Sequence, residues 1–132
     1  MSYAPFVPLR VFSSYTMLDG AIDPKAIAKL AKERGFPAIA MTDRNGLYGA
    51  MSFAGACKDA GIQPIVGSQI GVRRDAGSGS RGEIDSLVLL VQNDAGWLNL
   101  CRLVSRAHLD RPAELDPHVT LADMEGNSDG LI

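Results

Sequence analysis

Four apolar residues in a row, Ala38-Ile39-Ala40-Met41, stand between Pro37 and the turn-forming run Thr42-Asp43-Arg44-Asn45-Gly46. A run this short, with chain breakers on both sides, reads as a strand. A strand wet on one face alternates apolar with polar residues, whereas one covered on both faces is apolar throughout. Pro64-Ile65-Val66-Gly67, continuing through Ile70 to Val72, and Leu87 to Val91 have the same character. Strands of this kind need helices to cover them, and the segments before the first, between the first two and after the third have helical periods. The pattern predicts the α/β class with a mostly parallel sheet.

The helical segments have their own start and stop signals. Asp23 precedes Pro24 as N-cap and first helical residue, Ile27, Leu30, Ala31 and Arg34 share a face, and Gly35 ends the helix. A second helix is predicted from Leu47 to Ala60, with Leu47, Ala50, Met51, Ala54 and Lys58 on one face and Gly61 as its stop. Asn93 caps a third, from Asp94 to His108, whose inner stripe reads Trp97, Leu100, Cys101 and Val104. Asp110–His118, with Pro112 and Pro117, reads as irregular, and Thr120-Leu121-Ala122-Asp123 has the spacing of a capping box before a short helix. At the front, Val7, Leu9 and Val11 alternate with Pro8, Arg10 and Phe12, which predicts a strand over 6–12 with one side lacking a ladder partner at Pro8. Gly130-Leu131-Ile132 reads as the start of one more strand.

Composition narrows the function classes. The 132 residues are 46% hydrophobic, and 13 Lys+Arg against 15 Asp+Glu leave a net charge of −2, which argues against a strongly basic nucleic-acid grip. No apolar run approaches the roughly 18 residues of a membrane span, and the N-terminus has no secretory pattern. Cys57 and Cys101 are too few and too far apart for a disulfide framework or a CxxC site, so they read as buried free thiols in a cytoplasmic protein. Gly77-Ser78-Gly79-Ser80-Arg81-Gly82 lacks the Lys-Ser/Thr of a phosphate-binding P-loop, so Arg73–Glu83 is expected to be a flexible hairpin loop.

In α/β folds, chemistry collects at the C-terminal ends of the strands. Those ends hold Arg10-Val11-Phe12-Ser13, Thr42-Asp43-Arg44-Asn45 and Gly67-Ser68-Gln69. Arg10 and Phe12 share a strand face, and Asp43 is the one carboxylate in the three. Asp43 reads as a turn-former or as a partner of Arg10 or Arg44, with a metal ligand as the competing role. His108 and His118 read as solvated or helix-terminal, Ser13 and Ser14 have no base nearby in sequence, and Trp97 reads as core.

Four segments carry a resemblance to a known family. They are Phe6 through Ala21, Ala38-Ile39-Ala40-Met41-Thr42-Asp43 with Leu47-Tyr48-Gly49, Ala60 through Gly67, and Leu89 through Cys101. In this order they resemble the opening of bacterial DNA polymerase III alpha subunits, over essentially the whole chain. The resemblance implies a polymerase-and-histidinol-phosphatase (PHP) domain, a distorted β/α barrel of TIM-barrel type. Residues 1–132 would be its N-terminal portion, with the polymerase domains absent from this chain. Active members of that family hold a multinuclear metal centre with His, Asp and Glu and hydrolyse phosphoesters.

The departures from that pattern are specific. The family's His-x-His after the first strand is Arg10-Val11-Phe12 here, its Asp-His is Asp43-Arg44, its Glu on the third strand is Gln69, and its His before the fourth is Ser86. Arginine has no lone pair to offer a metal. Two guanidiniums would repel a dication by several kcal/mol even at an effective dielectric of ~20. No catalytic residue, cofactor or metal is therefore expected in this region, and an Arg10–Asp43 ion pair is expected to fill the old metal site.

The resemblance implies a degenerate, non-catalytic scaffold within a replicative polymerase that uses Mg²⁺ and meets DNA through its full chain. Its partners would be other replicase subunits, among them a proofreading exonuclease. The alternatives are a metal-dependent PHP phosphoesterase or 3′-5′ exonuclease, and a stand-alone α/β binding module. Half a barrel would leave a sheet edge bare, so self-association or an exposed apolar patch along the last strand is also expected.

Overall fold

The computed structural model describes residues 2–74 and 82–132. Most of the glycine-serine loop, Gly77–Arg81, lies outside the described residues. The order is α1 (Pro24–Glu33), β1 (Ala38–Met41), α2 (Ala50–Ala60), β2 (Gln63–Arg73), β3 (Ile84–Leu90), α3 (Asp94–Leu109), β4 (Val119–Thr120) and α4 (Leu121–Met124).

β2 is the spine of the sheet. Its first half pairs with β1 in parallel, from Ala38 opposite Gln63 to Met41 opposite Val66. Its second half pairs with β3 antiparallel, from Gly67 opposite Leu90 to Arg73 opposite Ile84. β4 lies parallel to the end of β2 through Val72 and Arg73. The expected alternation of strand and helix is present, and the hairpin expected at Arg73–Glu83 appears as the antiparallel β2–β3 pair. Outside the loop, Arg74 joins its two arms through Glu83 and Asp85.

The caps follow local chemistry. Asp23 accepts a hydrogen bond from the Lys25 N–H at 2.9 Å, and Asn93 accepts one from Gly96 at 3.0 Å. Gly61 ends α2 at φ +73°, the left-handed conformation glycine tolerates best. Thr120 and Asp123 form the full reciprocal capping box, at 3.2 and 2.9 Å.

Other expectations are corrected. Residues 6–12 form no regular strand. Pro8 has no N–H to donate, and the Val11 N–H bonds to the Thr42 hydroxyl at 3.1 Å instead of a neighbouring carbonyl. The segment still runs beside β1, because the Ala40 and Thr42 N–H groups donate to the Pro8 and Val11 carbonyls, both at 2.8 Å. α2 begins at Ala50, not Leu47, and buries Ala50, Phe53 and Cys57, leaving Met51 exposed. The larger apolar ring of Phe53 sets which face turns inward. α3 is rotated by a similar step: Gly96, Asn99, Leu100, Leu103 and Ala107 are buried, while Trp97, Cys101 and Val104 are half-buried. The C-terminal segment causes this rotation. Asn99 donates its amide to the Asp129 carbonyl at 3.0 Å, and Gly96 lies so close to Gly130 that a Cβ would overlap its carbonyl. Gly130–Ile132 does run beside β3, with Leu90 and Ile132 exchanging backbone bonds at 2.8 and 2.9 Å.

Two cores meet β2 at successive points along its length, the first at Val66 and the second at Ile70 and Val72. Ile27, Ala31, Ile39, Met41, Phe53 and Cys57 pack between α1, β1 and α2. Ile70, Val72, Leu89, Leu100, Leu103 and Val119 pack between β2, β3, β4 and α3. β1 is buried as expected, but β3 is open along part of its length, with Leu87 40% exposed.

Candidate functional site

The seam between β1 and β2 gathers the residues singled out in the sequence. Beyond Met41 the chain keeps its place beside β2: the Gln69 N–H donates to the Asp43 carbonyl at 3.1 Å and the Asn45 N–H to the Gln69 carbonyl at 2.9 Å. Arg44 and Gln69 are thereby bridge partners. Gln69 also faces Val88 across the hairpin, and Ser86 faces Gly71 one pair further along the same face.

Asp43 is 1% exposed. Its Oδ1 accepts from the Ser13 N–H at 2.6 Å and the Thr16 hydroxyl at 2.8 Å, and its Oδ2 accepts from the Ser13 hydroxyl at 2.6 Å. Thr16 Oγ1 in turn accepts from the Arg44 N–H at 3.1 Å. Among the described residues no Lys, Arg or His reaches the Asp43 carboxylate within ion-pair distance. The expected Arg10–Asp43 ion pair is therefore absent. A buried carboxylate that already holds three donors close at hand needs no cation.

Arg10 instead donates its Nε–H to the Gln69 side-chain oxygen at 2.7 Å. Arg44 pairs with Asp19 at 2.6 Å, both half-exposed. Both guanidiniums lie against Phe12, with their central carbons 5.1 Å (Arg10) and 5.5 Å (Arg44) from the ring centroid, close enough for a cation–π attraction. Ser86 is exposed and makes no side-chain hydrogen bond among the described residues.

The PHP resemblance implies a metal, and these residues do not fit one. Arg10 and Phe12 offer no donor atom, Gln69 Oε1 faces a guanidinium, and both Asp43 oxygens are bound by Ser13 and Thr16. Among the described residues no group of three or more His, Cys, Asp and Glu side chains is gathered as a metal site.

The remaining candidates are elsewhere. His108, exposed in the last turn of α3, has Nε2 2.6 Å from the Asn45 carbonyl. His118 is buried, not solvated, with Nδ1 2.8 Å from the Asp116 carbonyl, because Val119 carries the chain into the sheet beside it. Burial pushes the Cys57 thiol up to about 11 and raises Cys101 as well. Cys101 is half-buried rather than buried. The sequence reading weighed Ser13 only as a nucleophile and passed over Thr16. They are the ligands of Asp43, and a strand-end Asp with Ser and Thr in the facing loop was the available signal. Tyr15 and Tyr48, with rings 6.3 Å apart, border a surface cleft of about 550 Å³ that also takes in Arg44, His108 and Pro117.

Comparison with known proteins follows this geometry. The family model for the PHP domain matches residues 8–132. The chain belongs to the PHP domain family. Its relatives include DNA polymerase III subunit alpha of Caulobacter vibrioides, 43% identical over 129 residues, covering 96% of this chain and 11% of the relative. The Escherichia coli K12 subunit is 41% identical over 108 residues, covering 82% of this chain and 9% of the relative. An error-prone DNA polymerase of an Anaeromyxobacter strain is also 41% identical, over 109 residues, with the same coverage. The chain thus spans about a tenth of the length of the curated relatives it matches. Among solved structures, an amidohydrolase from Chromobacterium violaceum, with bound sulfate and no metal, superposes at a TM-score of 0.55 and 20% identity. That match covers 76% of this chain and 32% of the other. At these identities the solved structures establish the fold of the PHP domain, which is the expected α/β, TIM-barrel-like class. No helix among the described residues is long and apolar enough to cross a membrane.

Proposed function

We propose that this chain is the PHP portion of a bacterial DNA polymerase III alpha subunit. In this reading it is a non-catalytic scaffold that docks other replicase subunits, a proofreading exonuclease among them. The relatives named above support the parent protein. The observation that carries the non-catalytic reading is the Arg10–Gln69 hydrogen bond, a guanidinium bound where the family's pattern has a ligand. Asp43 adds to it, since both its oxygens are turned to Ser13 and Thr16. Template-directed DNA synthesis would belong to the natural-length chain in the cytoplasm, with Mg²⁺ held by acidic residues outside these 132. The near-neutral charge suits a surface that faces protein more than DNA.

The test pairs two assays on the natural-length chain. Primed-template extension with Mg²⁺ is expected to proceed. Release of phosphate from p-nitrophenyl phosphate, and 3′-5′ shortening of single-stranded DNA, are expected to stay at background with Mn²⁺ or Zn²⁺ added. Hydrolysis that is lost in Asp43→Asn would replace this reading with a metal-dependent phosphoesterase. Elemental analysis after dialysis is expected to find no metal that Asp43→Asn removes.

A further inference from the structure

A surface groove of about 570 Å³ lies between α1 and α2. Its α2 wall is a ridge of Met51, Gly55 and Asp59, each one helical turn from the next. Met51 is 84% exposed, and the ridge is broken at Gly55, where a Cβ would meet nothing within 4 Å. Glycine inside a helix is less stable than alanine, so its presence needs a reason. The approach of Gly130 supplies one at Gly96, but no group among the described residues supplies one at Gly55. Ala28 from α1 and Ala56 from α2 add to the small apolar lining. The α1 wall carries Lys25, Lys29 and Lys32. Lys29 has Glu33 at 3.8 Å, while Lys25, Lys32 and Asp59 have no ion-pair partner among the described residues. Three lysines therefore stand against a single carboxylate, beside an apolar notch with an open place for one more side chain.

We propose that this groove docks an acidic amphipathic helix of a partner protein. The lysines recur at i, i+4 and i+7, so their Cβ atoms lie about 5–6 Å apart along one stripe of α1. A partner helix repeats with the same period and sets three carboxylates against them. An extended segment repeats its same-face side chains every ~7 Å and falls out of step. An apolar side chain of the partner fills the place left at Gly55, with the thioether of Met51 beside it as an adaptable contact. The excess of lysine sets the sign of the partner's charge. A nucleic-acid backbone would gain nothing from the apolar notch and would meet the Asp59 carboxylate. The groove would serve the docking role proposed above, on which its assignment to a protein partner rests, and is independent of any chemistry at the strand ends.

Fluorescence anisotropy of the natural-length chain with a labelled, hydrocarbon-stapled helical peptide tests this. The peptide has glutamates at i, i+4 and i+7 and leucines on the adjacent face. A second peptide has glutamines in place of the glutamates, and a single-stranded oligonucleotide is the third probe. Gly55→Gln fills the notch with a good helix former, so its melting temperature is expected to hold or rise while it binds the acidic peptide about tenfold more weakly. Lys25→Glu combined with Lys32→Glu is expected to weaken that peptide about as much and to erase its advantage over the glutamine peptide. Lys58→Glu, at an exposed position of α2 outside the groove, is the control and is expected to bind like the parent. No binding of the acidic peptide, equal binding of the two peptides, or binding that neither the Gly55 nor the lysine substitutions weaken would overturn the proposal. So would a lysine-dependent affinity for the oligonucleotide above that for the acidic peptide, which would assign these lysines to nucleic acid. None of these results alters the outcome of the extension and hydrolysis assays, so the two readings fall separately.

Discussion

Ser13 and Asp43 share two hydrogen bonds of 2.6 Å, one from the Ser13 backbone N–H to Oδ1 and one from its hydroxyl to Oδ2. Both residues are buried, and Thr16 closes the arrangement from the same loop. The carboxylate thus fastens the 13–20 loop to the end of β1. Truncating it would leave three buried donors without an acceptor, each costing about 1–3 kcal/mol. Asp43→Ala is expected to lose about 3 kcal/mol or more of stability in urea unfolding. Asp43→Asn keeps one oxygen and is expected to lose about half as much.

Two helical glycines should respond in opposite directions. A Cβ at Gly55 in α2 meets nothing within 4 Å, so Gly55→Ala is expected to stabilise by about 1 kcal/mol through helix propensity. A Cβ at Gly96 in α3 would overlap the Gly130 carbonyl and meet the rest of that residue's backbone. Gly96→Ala is expected to destabilise by about 1–3 kcal/mol, since backbone must move to admit it. Thermal melts of the two variants against the parent check both signs.

Acid should weaken the N-terminal cap of α4. The Thr120 backbone N–H, aided by the Thr120 hydroxyl and Arg106, holds the Asp123 carboxyl below its usual range. A depressed folded value means the contribution is present above the unfolded carboxylate value of about 3.9 and disappears as pH falls through the folded one. Asp123→Asn is therefore expected to cost stability at pH 7, with the gap to the parent narrowing below about pH 4. Parallel melts across pH 7 to 2.5, a range set by roughly those carboxylate values, would show a constant gap if the capping box contributed nothing.

The thiols should report unfolding. Cys57 is fully buried in the α1–β1–α2 core, and burial pushes its thiol up to about 11, so little thiolate exists at pH 8. Disulfide-reagent labelling is expected to reach Cys101 first and Cys57 only as fast as the fold opens. A Cys57 rate insensitive to urea in the native range, yet comparable to that of Cys101, would contradict this burial.

What the sequence by itself determined was the local grammar. Asp23-Pro24, Asn93 and the Thr120–Asp123 box cap their helices as read, because a cap involves groups only two or three residues apart. The all-apolar run at Ala38–Met41 is covered as read, because a strand with no polar face has no wet side to offer. Where distant segments meet, tertiary structure decided. Which face α3 buries depends on Asn99 reaching the Asp129 carbonyl and Gly96 meeting Gly130, and neither contact lies within the helix. Residues 6–12 run beside β1 without becoming a strand, because Thr42 supplies a side-chain oxygen where a backbone carbonyl would be needed. The site was settled the same way. Charge alone pairs Asp43 with Arg10, but Ser13 and Thr16, 30 and 27 residues away in sequence, reach the carboxylate first. Arg10 is left with an amide 59 residues away. Opposite charges attract over distance, but hydrogen bonds need contact, and only the fold sets which groups come within 3 Å of one another.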